Sequence, residues 1–189
     1  MTILYPTETL YALGVNAFDP AALAALYEIK EREEGKAVSV LVRSVEDVER
    51  FAHMPPKAKL LAAKFLPGPL TLVLKARDEV PRHLLAPDGT LGFRVSSDEV
   101  AKQVINDFMS KYDAPLTCTS ANVSGFPTLS TPKEILEQLG DKADLIDEIH
   151  DGGPRVGAGS TVIRVLDDKV EILRLGAVPE SAIKSVLRQ

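Results

Sequence analysis

The sequence has one cysteine, no tryptophan and three histidines in 189 residues, and each scarcity closes off a class of protein. Cys118 alone excludes an intramolecular disulfide and any multi-cysteine metal centre, and it suits a reducing compartment, so the chain is read as cytoplasmic. His53, His83 and His150 form no short-spaced ligand pair, so no structural zinc or other resident metal is expected. No segment approaches the ~18–20 consecutive apolar residues that span a bilayer. The N-terminus also lacks a basic region followed by a long apolar one, so neither membrane insertion nor secretion is expected. Positive charge is not in excess, since 22 Lys and Arg against 27 Asp and Glu leave a net charge of −5. Any polyanion must therefore meet a local basic cluster. No GxxxxGKS/T run and no GxGxxG opening a helix occurs, so P-loop and dinucleotide-fold chemistry have no support.

What is present is enough for a core. Hydrophobic residues make up 45% and charged residues 26%, and a chain of this length folds as one domain that buries about 70% of its unfolded surface. Thr2–Tyr5 reads as a strand ending at Pro6, with 6–14 a turn. Asp19-Pro20 opens a helix to about Glu33. Residues 38–42 read as a buried strand, Ser44 and Asp47 cap a helix to about Ala52, and Pro56–Phe65 is another helix, broken by Pro67-Gly68-Pro69. Strands follow at 71–76 and 91–95, then a helix from near Ser97 whose face is Val100, Val104, Ile105, Phe108, Met109 and Tyr112. A strand at 116–119, a helix opened by a Thr131/Glu134 capping box, a hairpin of 161–165 with 170–173 and a helix over 178–187 complete the reading. This order predicts an α/β fold with a mixed sheet and flanking helices.

Three features carry candidate chemistry. Lys30 interrupts the apolar stripe of the first helix, either facing a pocket or snorkelling at a helix end. With Arg32 and Lys36 it forms a compact basic site suited to phosphates, although Glu28, Glu31, Glu33 and Glu34 interleave. The run Thr117-Cys118-Thr119-Ser120-Ala121-Asn122-Val123-Ser124-Gly125 follows a strand and presents hydroxyls, an amide and backbone N–H groups; it suits either a ligand or a plain turn. Cys118 is read as a strand cysteine, not a nucleophile. The Gly157-Ala158-Gly159-Ser160-Thr161 and Pro67-Gly68-Pro69-Leu70-Thr71 turns let backbone amides approach an anion.

Together Tyr5–Gly14 (YPTETLYALG), Lys30-x-Arg32 with Lys36, PGPLT at 67–71, GFRV at 92–95, TSANVSG at 119–125, GSTVI at 159–163 and ILRLGAV at 172–178 resemble the YrdC-like threonylcarbamoyl-AMP synthase family in its short form. The resemblance covers nearly the whole chain and implies a twisted mixed sheet around an open basic cavity. It implies a synthase that joins L-threonine, bicarbonate or CO2, and ATP with Mg2+ into threonylcarbamoyl-adenylate and pyrophosphate. That product serves threonylcarbamoyladenosine formation at tRNA position 37. It further implies that Thr9, Arg94, the Cys118 backbone and Ser160 hold threonine, and that Arg32, Lys36, Thr90, Ser120, Thr128 and Arg174 hold ATP. Lys30, Arg32, Ser120 and Asn122 match the family's essential K-x-R and S-x-N signature. No covalent nucleophile or general base is implied.

Against the family pattern, Glu33, Ala37 and Ser96 replace common prolines, and Leu41 replaces a threonine-contacting histidine of some relatives. The lead-in before the first strand is shorter than usual, which leaves a sheet edge to be covered, for instance by a homodimer. The competing reading is a non-catalytic nucleotide- or RNA-binding module of the same fold; a carbamoyl-transfer domain fits the length less well. Direct tRNA contact and transfer proteins that consume the adenylate are the expected macromolecular partners.

Overall fold

In the computed structural model, which describes residues 1–33 and 37–188, the first strand includes the proline that was expected to stop it. β1 (Thr2–Pro6) turns through four residues and returns antiparallel as β2 (Tyr11–Val15), with Pro6 opposite Tyr11. The turn is this short because Thr7 closes it alone. Its N–H donates to Leu10 O at 3.0 Å and its hydroxyl to the same oxygen at 2.6 Å. Gly14 is required by close approach: a Cβ there would lie 2.8 Å from the ring of Tyr5, which is fully buried.

α1 (Pro20–Ile29) starts as read, with Asp19 Oδ1 accepting from the Ala21 and Ala22 N–H groups. It ends before the expected Glu33 because Glu31 takes a left-handed φ of 48° and turns the chain aside. β3 (Val40–Leu41), α2 (Val45–Phe51) and α3 (Pro56–Phe65) follow, then the antiparallel pair β4 (Leu70–Lys75) and β5 (Thr90–Arg94). α4 (Glu99–Tyr112) begins close to the expected Ser97, is capped by Asp98, and buries Ala101, Val104, Ile105, Phe108 and Met109.

The segment read as one strand at 116–119 is two. β6 (Leu116–Thr117) and β7 (Thr119–Ser120) part at Cys118, and each joins a different sheet. α5 (Pro132–Leu139) makes both arms of its capping box, Glu134 N–H to Thr131 Oγ1 and Thr131 N–H to Glu134 Oε2. β8 (Glu148–Ile149), the hairpin of β9 (Thr161–Leu166) and β10 (Lys169–Arg174), and α6 (Glu180–Leu187) complete the chain.

The strands form two mixed sheets where the sequence suggested one, ordered β7-β2-β1-β8 and β10-β9-β4-β5-β3-β6. β4 runs parallel to β9 and β3 parallel to β5, while the remaining pairs of the larger sheet are antiparallel. Leu70, Leu72 and Leu74 of β4, Phe93 of β5 and Ile163 and Val165 of β9 are completely buried in one continuous core. Each such side chain contributes roughly 1.5–3 kcal/mol by leaving water. No helix among the described residues is long and apolar enough to cross a membrane.

Candidate active site

The split at Cys118 places the end of β7 over the ends of β4, β5 and β9, and between them lies a cavity of about 200 Å³. Its charged lining is three guanidiniums, those of Arg32, Arg94 and Arg174, joined by Cys118, Ser120 and Ser160. These six were singled out from positions as far apart as 32 and 174, and the fold gathers them.

Arg94, at the end of β5, is the most constrained. It is 6% exposed, and its Nη2 donates to Glu8 Oε1 at 2.8 Å, to Thr9 Oγ1 at 2.7 Å and to Thr7 Oγ1 at 3.3 Å. Its Nε is buried without a partner. Thr9 therefore contributes from behind, through Arg94, and does not line the cavity. Glu8, which the sequence reading passed over, also accepts from the Ser96 hydroxyl. Burial works to raise the Glu8 pKa, but the charge and hydrogen bond of Arg94 and the bond from Ser96 outweigh it and hold the carboxyl below its ordinary 4.5.

Arg174 leaves β10 to donate to Ser160 O at 2.8 Å and Ser160 Oγ at 3.2 Å, and Ser160 Oγ in turn lies 2.8 Å from Thr71 Oγ1. Burial first, and then the nearby Arg94 charge, push the Arg174 pKa down. Arg174 is itself exposed, so what favours an incoming anion is the closeness of two like charges, one of them buried. Among the described residues neither Arg174 nor Arg32 has a carboxylate partner.

Lys30 resolves the ambiguity left by its place in α1. It is 2% exposed, and its ammonium donates to the carbonyls of Ser120 and of Asn122, the latter at 2.7 Å. It does not line the cavity; it ties the segment after β7 to the end of α1. Within that segment Ser120 Oγ donates to Asn122 Oδ1 at 2.5 Å, and Asn122 Nδ2 donates to Phe126 O at 2.7 Å. Burial, reinforced by Arg32, lowers the Lys30 pKa from 10.5 to about 8. The unfolded chain thus holds this proton more tightly between those values, and the ionisation of Lys30 disfavours folding most below pH 8. Lys30→Met is accordingly expected to destabilise the fold as well as the site, because two buried carbonyls lose their donor at about 1–3 kcal/mol each. Urea unfolding checks this, and an unchanged midpoint would show the clamp to be dispensable.

The other candidates lie elsewhere. Thr90 lines an adjoining groove of about 490 Å³ that shares Ala37, Val38, Ser39 and Val162 with the cavity, and its hydroxyl donates to Asp88 Oδ1 at 2.6 Å. Thr128 is exposed and lines neither. Lys36 falls outside the described residues.

The Sua5/YciO/YrdC family model, described as "Telomere recombination", matches residues 1–176. The chain belongs to this family. Within it, the threonylcarbamoyl-AMP synthase of Pyrococcus abyssi is 34% identical over 186 residues, 98% of this chain and 53% of that protein. The chain thus spans about half of that relative's length. The crystal structure of P. abyssi Sua5 complexed with L-threonine superposes with a TM-score of 0.87 at 34% identity, over 98% of this chain and 53% of the other. Escherichia coli YciO superposes with a TM-score of 0.83 at 29% identity, over 96% and 86%. These likenesses span the segments that carry the three arginines, so the family's shared fold includes the elements that build the cavity.

Proposed function

We propose that this chain makes L-threonylcarbamoyladenylate and pyrophosphate from L-threonine, bicarbonate or CO2, and ATP. It works as a threonylcarbamoyl-AMP synthase. The observation that carries this reading is the three-arginine cavity of an acidic protein, in which one guanidinium is held rigidly by Glu8, Thr7 and Thr9 while the two others have no carboxylate partner among the described residues. Such a site suits two anionic reactants held side by side. A P. abyssi relative has been crystallised with L-threonine, which supports threonine as the amino acid; its carboxylate is assigned here to the Arg94 end.

The amine nitrogen of threonine adds to the carbon of CO2 and loses a proton, giving a carbamate. A carbamate oxygen then bonds to the α-phosphorus, and the bond to the bridging oxygen breaks as pyrophosphate leaves with the electron pair. Arg94 orients the threonine carboxylate and Ser160 borders the same end, while Arg32 and Arg174 offset charge on the phosphates. Ser120, presented by the Lys30 clamp, faces the reacting groups. The donors here are guanidiniums and hydroxyls, which suit anions and not a bare cation. Among the described residues, no cluster of three or more His, Cys, Asp and Glu is placed to hold a metal. Mg2+ would enter with the triphosphate and neutralise charge on the leaving pyrophosphate. The adenylate is an activated acyl donor, and we assign its consumption to separate transfer proteins acting on tRNA.

The test is pyrophosphate release from ATP with Mg2+ and bicarbonate. Release that depends on L-threonine, with serine much poorer, is the expected result. A folded chain that binds ATP yet releases nothing would establish a binding module instead.

A further inference from the structure

We propose that Arg155, which belongs to none of the segments assigned above to threonine or ATP, is a positioning residue for the amino-acid end of the cavity. It fixes the Thr7–Leu10 turn against α4, and through that turn the partners of Arg94. The inference rests on the functional reading above.

Arg155 lies in the long segment between β8 and β9, just after the Asp151-Gly152-Gly153-Pro154 turn. Its guanidinium is largely buried and spends its donors on three separate parts of the fold. Nε donates to Thr7 O at 2.8 Å, Nη1 to Gly152 O at 2.6 Å, and Nη2 to Asp98 Oδ2 at 2.6 Å. Its own backbone N–H donates to Ser130 O at 2.8 Å. One residue thus joins the first turn, the cap of α4, its own loop and the segment after Asn122. Only a planar five-donor fork can do this; a lysine ammonium cannot reach the same set.

The attachment is built on both sides. Gly152 is a glycine because a Cβ there would lie 2.8 Å from both Arg155 Nη2 and Pro6 Cγ. Beneath it the Tyr11 hydroxyl accepts from Gly152 N–H at 3.0 Å and lies 2.9 Å from Gly153 O. Asp98 divides its carboxylate, with Oδ1 capping Val100 and Ala101 at 2.9 and 3.1 Å and Oδ2 left for Arg155. Beyond Arg155 the chain is exposed, with Val156 at 85%, until Ser160 returns to the cavity. Arg155 is therefore the last inward anchor before the residue that lines the site.

The consequence runs through Thr7. Its carbonyl is held by Arg155, its hydroxyl lies 3.0 Å from Thr9 Oγ1, and both hydroxyls accept from Arg94. Glu8, between them, is held from the other side by Ser96. Releasing Thr7 O frees one end of this turn and lets Arg94 shift, whereas Arg32 reaches the cavity from the end of α1 and is untouched.

The experiment measures L-threonine binding by calorimetry, and KM for threonine and for ATP in the pyrophosphate assay, for the unsubstituted chain, Arg155→Ala, Arg155→Lys and Asp98→Asn. Asp98→Asn keeps an oxygen for the helix cap and replaces the acceptor facing Arg155 with an NH2 donor, so it breaks the link and tests it if Arg155→Ala fails to fold. Threonine KM and Kd are expected to rise about tenfold to a hundredfold in Arg155→Ala, since small misplacements near the chemistry cost that much. ATP KM should stay within about threefold, with lysine restoring only part, and the Arg155/Asp98 double variant no worse than the single ones. A lowered melting temperature with threonine and ATP constants unchanged, or raised equally, would overturn the proposal and leave Arg155 a structural residue. Absence of threonine binding and turnover in the unsubstituted chain would instead overturn the functional reading, and this one with it.

Discussion

Arg94→Leu is expected to abolish threonine-dependent pyrophosphate release and to cost about 3–5 kcal/mol of stability, because it strands the Glu8 carboxylate in a buried place. The two side chains are 8% and 17% exposed, so water screens the pair little and cannot replace Arg94. The double variant Glu8→Leu/Arg94→Leu should recover part of the stability and none of the activity, which separates the structural from the catalytic loss. The pH dependence has a definite sign. Since the folded pKa of Glu8 lies below its ordinary 4.5, its stabilising contribution is present in full above that value and is lost as pH falls through the lower folded one. Urea unfolding at neutral pH and at about pH 3.5 should therefore show the gap between the unsubstituted chain and Arg94→Leu narrowing on acidification. A gap of the same size at both would mean that the pair contributes nothing, and full turnover in Arg94→Leu would remove Arg94 from the site.

Much of this site could be read from the chain because its parts break local rules. Lys30 was conspicuous for interrupting an apolar stripe, and the structure shows why it is there. The caps were legible too: Asp19 before Pro20 and the Thr131/Glu134 box are local chemistry, decided within one turn of helix. What failed to show depends on distant partners. β2 was hidden because Thr-Glu-Thr and Gly14 look like turn residues, and only the pairing with β1 and the crowding by Tyr5 reveal a strand. Cys118 gave no sign of dividing its strand, since the division lies in the partners: Thr117 pairs with Val40 of β3, whereas Thr119 and Ser120 pair with Leu13 and Ala12 of β2. Glu8 and Arg94 stand 86 positions apart, and nothing in YPTET says that its carboxylate will be buried. Arg155 offered even less, as a lone cation after a proline turn. Its partners at Thr7 and Asp98 exist only once the two sheets and α4 are in place.

Arg32→Ala should behave oppositely to Arg94→Leu, with kcat/KM for ATP falling about 10²–10³-fold, as when one preorganised charge donor is lost. Its stability should stay within about 0.5 kcal/mol of the unsubstituted chain. The difference follows from what each guanidinium already touches. Arg94 closes a buried ion pair, whereas among the described residues Arg32 donates only to Ala37 O, at 2.9 Å, and its buried Nε has no partner. An arginine so poorly engaged contributes little to folding; its unmet donor is instead available to a phosphate. Its direction is set by the early end of α1, where the left-handed Glu31 sends the chain towards the cavity instead of through another helical turn. Arg32→Lys tests that geometry, since it keeps the charge and loses the planar fork, and an intermediate loss is expected. Steady-state rates with ATP varied, alongside urea midpoints, decide the matter. Unchanged ATP kinetics would take Arg32 out of phosphate binding, while a midpoint falling in step with activity would show that it holds the loop and not the nucleotide.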